Sequence, residues 1–360
     1  MRRLLISNTH YQTIIAIQLK ETIFEEDDVI LLISDHSKGS EEISMKIREL
    51  GIFEDVHYIL TRELSYGYTR KDSYSDFFAI SFCDKNRYSY YLQGIDDIYF
   101  DEIVVFNFQK DIYGLHAMLS NYNLNIKTSM MEEGMLSYDC AERTSKKLRL
   151  LCKIRKCLNK KTIYDSIGNF YCFYPGIYKG KYNAVKIPLI EKGSKCIGTL
   201  QHAFGIDKNK LDYKEKYIFF TSVYDFEGGK PIGEFELVKK VAEIVGKDNL
   251  LIKVHPRDKR TLYSDYGFKV DKNSSIPWEV IQLSTDFDDK VFLTATSGSV
   301  LSGSFMSERP VETYYLYKLC DLSENYAQKT VSDIESLLNE ASVKKIFRSI
   351  KVAERIEEIK

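Results

Sequence analysis

Short apolar runs alternate with helical patterns along most of this chain. The runs that predict buried strands are Leu4–Ser7, Val29–Ile33, Val56–Leu60, Ile103–Phe106, Ile126–Met131, Tyr217–Thr221, Leu250–Val254, Val291–Thr294 and Val311–Tyr315. Between them lie segments with apolar residues at helical spacing, such as Tyr11–Lys20 and Glu234–Val245. Parallel strands need such crossover helices, so the alternation predicts an α/β fold with parallel sheets covered on both faces.

The length of the chain predicts two domains. Its 360 residues are more than one hydrophobic core usually serves, and both halves carry the strand–helix alternation. We therefore expect two Rossmann-like domains facing a cleft, at 1–180 and 181–360. The Tyr- and Gly-rich stretch from Tyr164 to Pro188 predicts irregular structure between them.

Composition excludes several classes of protein. A net charge of −1 gives no basic field, so nucleic acid is not an expected partner. The apolar run at the N-terminus is too short for a signal peptide, and no window reaches the roughly 18 apolar residues of a membrane span. Seven cysteines without a CxxC pair support neither a zinc site nor a redox motif, and they fit a reducing, cytoplasmic compartment.

One segment is strongly basic. Nine of the 19 residues from Arg143 to Lys161 are Lys or Arg and none is acidic, while Leu148, Leu151, Ile154 and Leu158 recur at helical spacing. This pattern predicts an amphipathic helix lying on an anionic membrane surface. A solvated helix that packs its Leu stripe on the domain is the other interpretation.

Two adjacent carboxylates follow the predicted strand that ends at Met131. Glu132 and Glu133 precede Gly134, which lets the chain turn sharply. Repulsion between close carboxylates raises the pKa of one of them, as a general base requires. The same triplet also occurs on ordinary surface turns.

A histidine follows another predicted strand. In the segment Lys253-Val254-His255-Pro256-Arg257 the proline can neither continue a helix nor donate to a sheet, so His255 lies at the strand end. Ligands of open α/β sheets bind just past the carboxyl ends of the strands. An imidazole between two cations there suits an anionic ligand such as a phosphate.

A third polar segment, Thr296-Ser297-Gly298-Ser299, separates a predicted strand from a predicted helix. The first N–H groups of a helix and these hydroxyls can bind an anion, and simple N-capping is compatible with that role. The acidic pairs at Asp96-Asp97 and Asp288-Asp289 lie away from the predicted ligand edge. No metal site is therefore expected.

The order of these motifs resembles a known group. E-E-G-x-x-x-Y, K-x-H-P and a Ser/Thr pair are similar to the motifs of the bacterial sialyltransferases and polysialyltransferases of capsule and lipooligosaccharide synthesis. The resemblance implies a two-domain GT-B fold. It also implies inverting transfer of sialic acid from CMP-sialic acid, without a metal or other cofactor.

The resemblance also implies roles for individual residues. Glu132 or Glu133 is the expected base, with Glu132 favoured and Asp225 as a rival. His255 would donate a hydrogen bond or proton to the leaving phosphate. The residues expected around the donor are Lys253, Pro256, Arg257, Thr296, Ser297, Gly298 and Ser299, and those of the first loop, expected at the acceptor, are Asn8, Thr9 and Gln12.

We therefore expect a sialyltransferase peripheral to the inner face of the plasma membrane, acting on a capsular or lipid-linked glycan. The sequence is compatible with a homodimer. A transferase using a UDP-hexose, a polymerase of polyol phosphates and a non-catalytic glycan-assembly protein are the alternatives. His202, after a predicted short strand at Cys196–Leu200, is either a turn residue or a ligand contact.

Overall fold

The chain forms two compact units. The computed structural model describes residues 1–61, 75, 88–108, 110–134, 137–138, 146–208, 211–307, 309–347 and 349–359. The first unit comprises Met1–Pro188 and Gly193–Gly205, and the second comprises Leu189–Lys192 and Ile206–Lys360. The sequence predicts a single boundary after residue 180. In the structure the boundary is not single, because Leu189–Lys192 belongs to the second unit and Gly193–Gly205 to the first.

A seven-stranded parallel sheet forms the centre of the first unit. Its strands are β1 (Arg2–Ser7), β2 (Asp28–Ser34), β3 (Asp55–Ile59), β4 (Glu102–Val105), β5 (Lys127–Met131), β6 (Ile167–Cys172) and β7 (Asn183–Lys186). Their order across the sheet is β3-β2-β1-β4-β5-β6-β7, and every pairing is parallel. The central strands are buried almost throughout, which explains their continuous apolar sequences.

The helices of the first unit whose bounds lie within the described residues are α1 (His10–Lys20), α2 (Ser40–Glu49), α3 (Lys110–Leu119), α4 (Lys146–Cys157) and α5 (Lys195–Ala203), with short 3-10 turns at Ser89–Leu92, Ile163–Asp165 and Pro175–Ile177. Leu151 and Cys152 of α4 join the same buried cluster as Leu4 and Ile103 of the sheet. Burial of a leucine side chain contributes about 1.5–3 kcal/mol, so α4 is anchored to the core through this face.

A six-stranded parallel sheet forms the centre of the second unit. Its strands are β8 (Tyr217–Phe220), β9 (Leu250–Lys253), β10 (Lys269–Val270), β11 (Val291–Thr294), β12 (Glu312–Tyr315) and β13 (Ile350–Val352). Their order is β10-β9-β8-β11-β12-β13, again with every pairing parallel. The predicted α/β fold with two parallel sheets is thus confirmed.

The helices of the second unit are α6 (Glu234–Val245), α7 (Leu262–Asp265), α8 (Trp278–Ser284), α9 (Ser299–Ser307), α10 (Ala327–Asn339) and α11 (Ala341–Ile346), with 3-10 turns at Lys247–Asn249, Tyr317–Leu319 and Ile356–Ile359. One face of the sheet carries an aromatic cluster in which Trp278 packs against Phe220, Phe287 and Phe292, with ring centroids 4.8–5.5 Å away. Such offset and edge-to-face pairs add stability beyond the area they bury.

Both sheets reverse their strand order at one point. In the first sheet β1 lies between β2 and β4, and in the second β8 lies between β9 and β11. Ligands of doubly wound sheets bind at the carboxyl ends of strands beside such a switch point. Functional residues are therefore expected in the loops that follow these strand ends. They are the loops after β1 and β5 in the first unit and those after β8, β9 and β11 in the second.

Two regions differ from the sequence-based expectation. The run Cys196–Leu200 is part of α5 and not a strand, because a short apolar run does not distinguish a buried strand from a buried helix. The stretch predicted to be irregular holds β6 and β7. The edge strand β7, with the sequence Asn-Ala-Val-Lys, has no apolar run to mark it.

Candidate active site

A fully buried amide holds the loop between β1 and α1. Thr9 is the N-cap of α1, and its side chain accepts a hydrogen bond from the Gln12 N–H. The Gln12 Oε1 accepts in return from the backbone N–H groups of Asn8 at 2.6 Å and Thr9 at 3.3 Å. This reciprocal capping box satisfies donors that the helix start would otherwise leave open. Gln12 has no exposed surface, so of the three residues predicted at the acceptor only Asn8 and Thr9 are accessible.

Glu132, the first residue after β5, is completely buried. Its Oε1 accepts from the Tyr11 hydroxyl at 2.6 Å. Its Oε2 accepts from the backbone N–H of Phe173 at 2.9 Å and from the Tyr138 hydroxyl. Burial raises the pKa of Glu132 to about 7, although these hydrogen bonds oppose the shift. The protonated form of Glu132 is therefore favoured relative to an ordinary glutamate, and both of its oxygens are engaged inside the protein.

Glu133, unlike Glu132, is exposed at the surface of the first unit, although its carboxylate is partly shielded. Its Oε1 accepts from the Gln12 Nε2 at 2.7 Å, and its backbone N–H donates to the Ser137 Oγ at 3.1 Å. Gly134 follows with φ +82°, a conformation that favours glycine, and so turns the chain away. Partial burial raises the pKa of Glu133 and the Gln12 amide opposes that rise. Within the described residues its Oε2 is available to a ligand.

In the second unit, His255 lies two residues beyond β9. Its backbone N–H donates to the Thr221 Oγ1 at 2.8 Å, and its ring Nδ1 accepts from the Arg257 N–H at 3.1 Å. Because a backbone amide can only donate, Nδ1 carries no proton and the neutral ring is the Nε2–H tautomer. Burial lowers the pKa of His255, and the Arg257 charge lowers it further. The half-buried imidazole thus presents an Nε2–H donor at neutral pH.

The cations that flank His255 differ in exposure. Lys253 is 7% exposed, and its Nζ lies 2.8 Å from the Asp271 Oδ2 in a buried ion pair. Arg257 is exposed and pairs with Glu227 at 2.9 Å. Pro256 is also exposed. The charge of Lys253 is thus compensated within the unit, and Arg257 is the cation at the surface.

The hydroxyl segment after β11 leads directly into α9. The backbone N–H of Ser297 donates to the Thr294 Oγ1 at 2.9 Å, and the Ser297 Oγ accepts from the Ser299 N–H at 3.4 Å. Thr296 is 1% exposed, and among the described residues its buried Oγ1 has no hydrogen-bond partner. Gly298 is exposed, with no atom within 4 Å of the position of a Cβ. A buried hydroxyl without a partner at a helix start is suited to an incoming acceptor atom.

Asp225, the alternative candidate for the base, accepts hydrogen bonds from the backbone at the start of α6. Its Oδ1 accepts from the backbone N–H groups of Gly233 and Glu234, each at 3.0 Å, and its Oδ2 accepts from that of Phe235 at 2.9 Å. These are the first N–H groups of α6, which lack acceptors within the helix. The carboxylate therefore caps α6.

Glu234 is a buried acid that the sequence did not reveal. It is 1% exposed, its Oε2 accepts from the Ser222 N–H at 2.8 Å, and its Oε1 has no partner within the described part of the chain. Burial raises its pKa to about 8, and the charge of Asp225 acts in the same direction. An acid in the first turn of a helix is usually an exposed one, so its position gave no sign of burial.

The basic helix packs one face and exposes the other. Residues 143–145 of the predicted segment lie outside the described residues. Leu151 and Arg155 are each 2% exposed, and the Arg155 Nε and Nη2 donate to the Lys161 carbonyl at 2.9 and 2.6 Å. The exposed side carries Arg149, Leu150, Lys153, Lys156, Cys157, Leu158, Lys160 and Lys161. Of the predicted apolar stripe Leu151 is buried, whereas Leu158 is 43% exposed. The helix therefore packs part of that stripe, together with Arg155, and presents cations on its exposed side.

Three further findings bear on function. His202 lies at the end of α5, with its Nε2 3.9 Å from a Glu49 oxygen. Across the ranges given above, no group of three His, Cys, Asp or Glu side chains could hold a metal ion. No helix in these ranges combines the length and apolar character needed to cross a bilayer.

The chain matches one family model and is similar in fold to several solved structures. The family model described as alpha-2,8-polysialyltransferase matches residues 3–293. The alpha/beta-galactoside alpha-2,3-sialyltransferase of the luminous marine bacterium Photobacterium phosphoreum has a TM-score of 0.51 and 12% identity, covering 100% of this chain and 99% of that chain. CalG4, the calicheamicin glycosyltransferase, has a TM-score of 0.48 and 10% identity over 99% and 94%. No curated protein sequence matches the chain. Such identities show the fold alone, which is GT-B as expected.

Proposed function

The chain belongs to the alpha-2,8-polysialyltransferase family, and from that premise we propose that it moves sialic acid from CMP-sialic acid to the terminal sialic acid of a surface glycan. It is a glycosyltransferase of the sialyltransferase type. The family description supports an acceptor hydroxyl at position 8, and the glycan would belong to a capsule or a lipid-linked oligosaccharide. Transfer is proposed to invert the anomeric centre and to need no metal.

The second unit supplies groups suited to the phosphate of CMP. His255 offers an Nε2–H, the buried Thr296 hydroxyl lacks a partner among the described residues, and the start of α9 adds backbone donors. Donors aimed at developing negative charge stabilise a departing phosphate without a metal ion. The low pKa of His255 supports a neutral hydrogen-bond donor in the free enzyme, rather than an acid already charged at neutral pH.

We assign the base to Glu133, and its exposure beside the Gln12 amide is the observation that carries the proposed mechanism. A base must reach the proton that it removes, and Glu132 has no exposed surface. The acceptor oxygen attacks the anomeric carbon of the donor sugar as its proton passes to Glu133. The bond from that carbon to the phosphate oxygen breaks, and CMP leaves with the electron pair. Asp225 is less suited, because three backbone N–H groups occupy its carboxylate.

The proposed activity has a direct test. Incubation with CMP-sialic acid and an oligosaccharide ending in sialic acid should yield products longer by one or more sialic acids, read by mass spectrometry. The same yield is expected in the presence of EDTA, because the proposed charge stabilisation uses protein donors. UDP-hexose donors and acceptors ending in galactose are the matched controls. Transfer from UDP-hexose alone, or loss of transfer with EDTA, would contradict the proposal.

We further propose that the exposed face of α4 binds the anionic surface of the membrane. Arg149, Lys153 and Lys156 are exposed along it, and Leu150 is 53% exposed among them. The Lys161 Nζ donates to the Asn125 Oδ1 at 3.2 Å, which holds the loop of the 66% exposed Leu124 beside the end of this helix. Cations with interspersed apolar side chains are typical of interfacial helices.

Changing Arg149, Lys153 and Lys156 together to Gln should weaken binding to anionic vesicles by about 30- to 150-fold. Each cation near such a surface contributes about 1 kcal/mol, and Lys156 is partly compensated by Asp165, 3.1 Å away. Sedimentation with vesicles of phosphatidylglycerol and phosphatidylcholine measures the change. The matched control changes the exposed Lys329, Lys344 and Lys345 of the second unit to Gln. An equal loss in both variants, or none in the first, would leave α4 as a solvated packed helix.

A further inference from the structure

Two neighbouring residues of α1 bind two neighbouring residues after β5. The Tyr11 hydroxyl donates to Glu132 at 2.6 Å, and the Gln12 Nε2 donates to Glu133 at 2.7 Å. These pairs are 121 residues apart in the chain, so the contact is made only when the first unit folds. The first turn of one helix therefore supplies a hydrogen-bond donor to each of the two carboxylates.

Backbone N–H groups determine which way the oxygen and the NH₂ of the Gln12 side-chain amide point. Its Oε1 accepts the N–H groups of Asn8 and Thr9, which can only donate. The NH₂ group must then point away from them, towards Glu133. Gln12 is 0% exposed and lies in the capping box of α1, so the amide has no room to turn over. The polarity of the contact with Glu133 follows from the way α1 begins.

We propose that Gln12 is a positioning residue for Glu133, orienting its carboxylate, favouring its ionised form and leaving Oε2 towards the acceptor hydroxyl. A donor on a carboxylate stabilises the charged form, whereas burial and a neighbouring carboxylate oppose it. Among the described residues, the titratable groups near Glu133 are Glu132 in the same loop, with Tyr11 and Tyr138, whose hydroxyls both donate to Glu132, and Cys172 beside Glu132. The inference rests on the proposed function, in which Glu133 removes the acceptor proton.

The test is Gln12→Glu. Glutamate is a normal residue at this position of a capping box, so its oxygen can still accept from Asn8 and Thr9. The second oxygen now faces Glu133, and two carboxylates at this distance share a proton. We expect the acid limb of the pH profile of kcat/KM to move upward by about one unit or more. The melting temperature should fall as the pH rises towards neutral, because the folded protein keeps a proton that the unfolded chain releases. Glu-selective ¹³C NMR should record the same shift for Glu133, independently of activity.

Two variants sharpen the result. Gln12→Met removes the donor without adding charge, so a smaller shift in the same direction is expected, and it serves if Gln12→Glu does not fold. Tyr11→Phe removes the donor on Glu132 instead, and should leave the limb set by Glu133 in place. An unmoved limb in both Gln12 variants, or a limb moved by Tyr11→Phe alone, would overturn the inference.

Failure of the inference can be told from failure of the proposed function. If Glu133→Gln retains full transfer, Glu133 is not the base, and the role of Gln12 falls with that assignment while the proposed sialyl transfer stands. If the wild type itself transfers no sialic acid, the proposed function falls. If Glu133→Gln is inactive while the Glu133 resonance titrates identically in wild type and in Gln12→Glu, the base assignment stands and the role of Gln12 is overturned. A merely structural role for Gln12 would lower kcat at every pH without moving the limb.

Discussion

Glu133→Gln should lower kcat for sialyl transfer by about 10²–10⁴-fold, the usual contribution of a general base. The amide keeps the size of the side chain but cannot take the proton of the acceptor hydroxyl. Steady-state kinetics with CMP-sialic acid and a sialylated acceptor measure the effect. Affinity for CMP, measured by thermal shift, should stay unchanged, because the groups proposed for the phosphate lie in the second unit.

Glu132→Gln is the matched control for that experiment. Its amide oxygen can accept from Phe173 and Tyr138, and its NH₂ can donate to the Tyr11 hydroxyl, so the buried network can re-form. We expect a loss of less than about tenfold, well below that of a missing base. The reverse ranking of the two variants would assign the base to Glu132, as the sequence favoured.

Glu234→Gln should stabilise the protein at alkaline pH. An unfolded glutamate has a pKa near 4.5, whereas burial raises that of Glu234 to about 8 in the folded state. Between these values the unfolded chain releases the proton and the folded chain keeps it, so the wild type loses stability as the pH rises. At about 1.36 kcal/mol per pKa unit, the loss is about 4 kcal/mol by pH 8. Glutamine does not titrate and still accepts from Ser222.

Urea unfolding of wild type and variant at several pH values tests this expectation. The advantage of Glu234→Gln should be small near pH 4.5 and grow by about 4 kcal/mol towards pH 8. Glu236→Gln is the control in the same helical turn, because Glu236 is 64% exposed and pairs with Lys239. Its effect should stay within about 0.5 kcal/mol at every pH. A pH-independent advantage for Glu234→Gln would mean that Glu234 is ionised in the folded protein.

The sequence predicted those parts of the fold whose pattern is local. Strands such as β1 and β9 each contain a short apolar run, and α6 was predicted with the bounds that it has, Glu234–Val245. By contrast, β6 was missed because it is partly polar and includes Gly168, where a Cβ would lie 2.1 Å from the Ser129 Oγ. The close approach of Gly168 to Ser129 depends on the neighbouring strand β5, so no pattern in the sequence around Gly168 predicts it.

In the candidate site, too, the sequence predicted the local features and missed those that depend on distant residues. The motif order identified the ends of the strands, and Glu132, His255 and Thr296 all lie there. The sequence could not distinguish Glu132 from its identical neighbour, because the difference is made by distant groups. Tyr11 and Phe173 engage one carboxylate, while Gln12 binds the exposed one. The burial of Lys253 likewise depends on Asp271, which lies on another strand-end loop.

The first unit includes Gly193–Gly205, so a fragment that folds on its own must extend beyond residue 180. A fragment ending at residue 180 would lack β7, leaving one edge of β6 without its neighbouring strand, and would lack α5, which belongs to the first unit. During synthesis, the amino-terminal half can complete its own packing only after about 205 residues have left the ribosome. A recombinant amino-terminal half should accordingly be soluble when it extends to Gly205, and prone to aggregate through its open edge when it stops at residue 180.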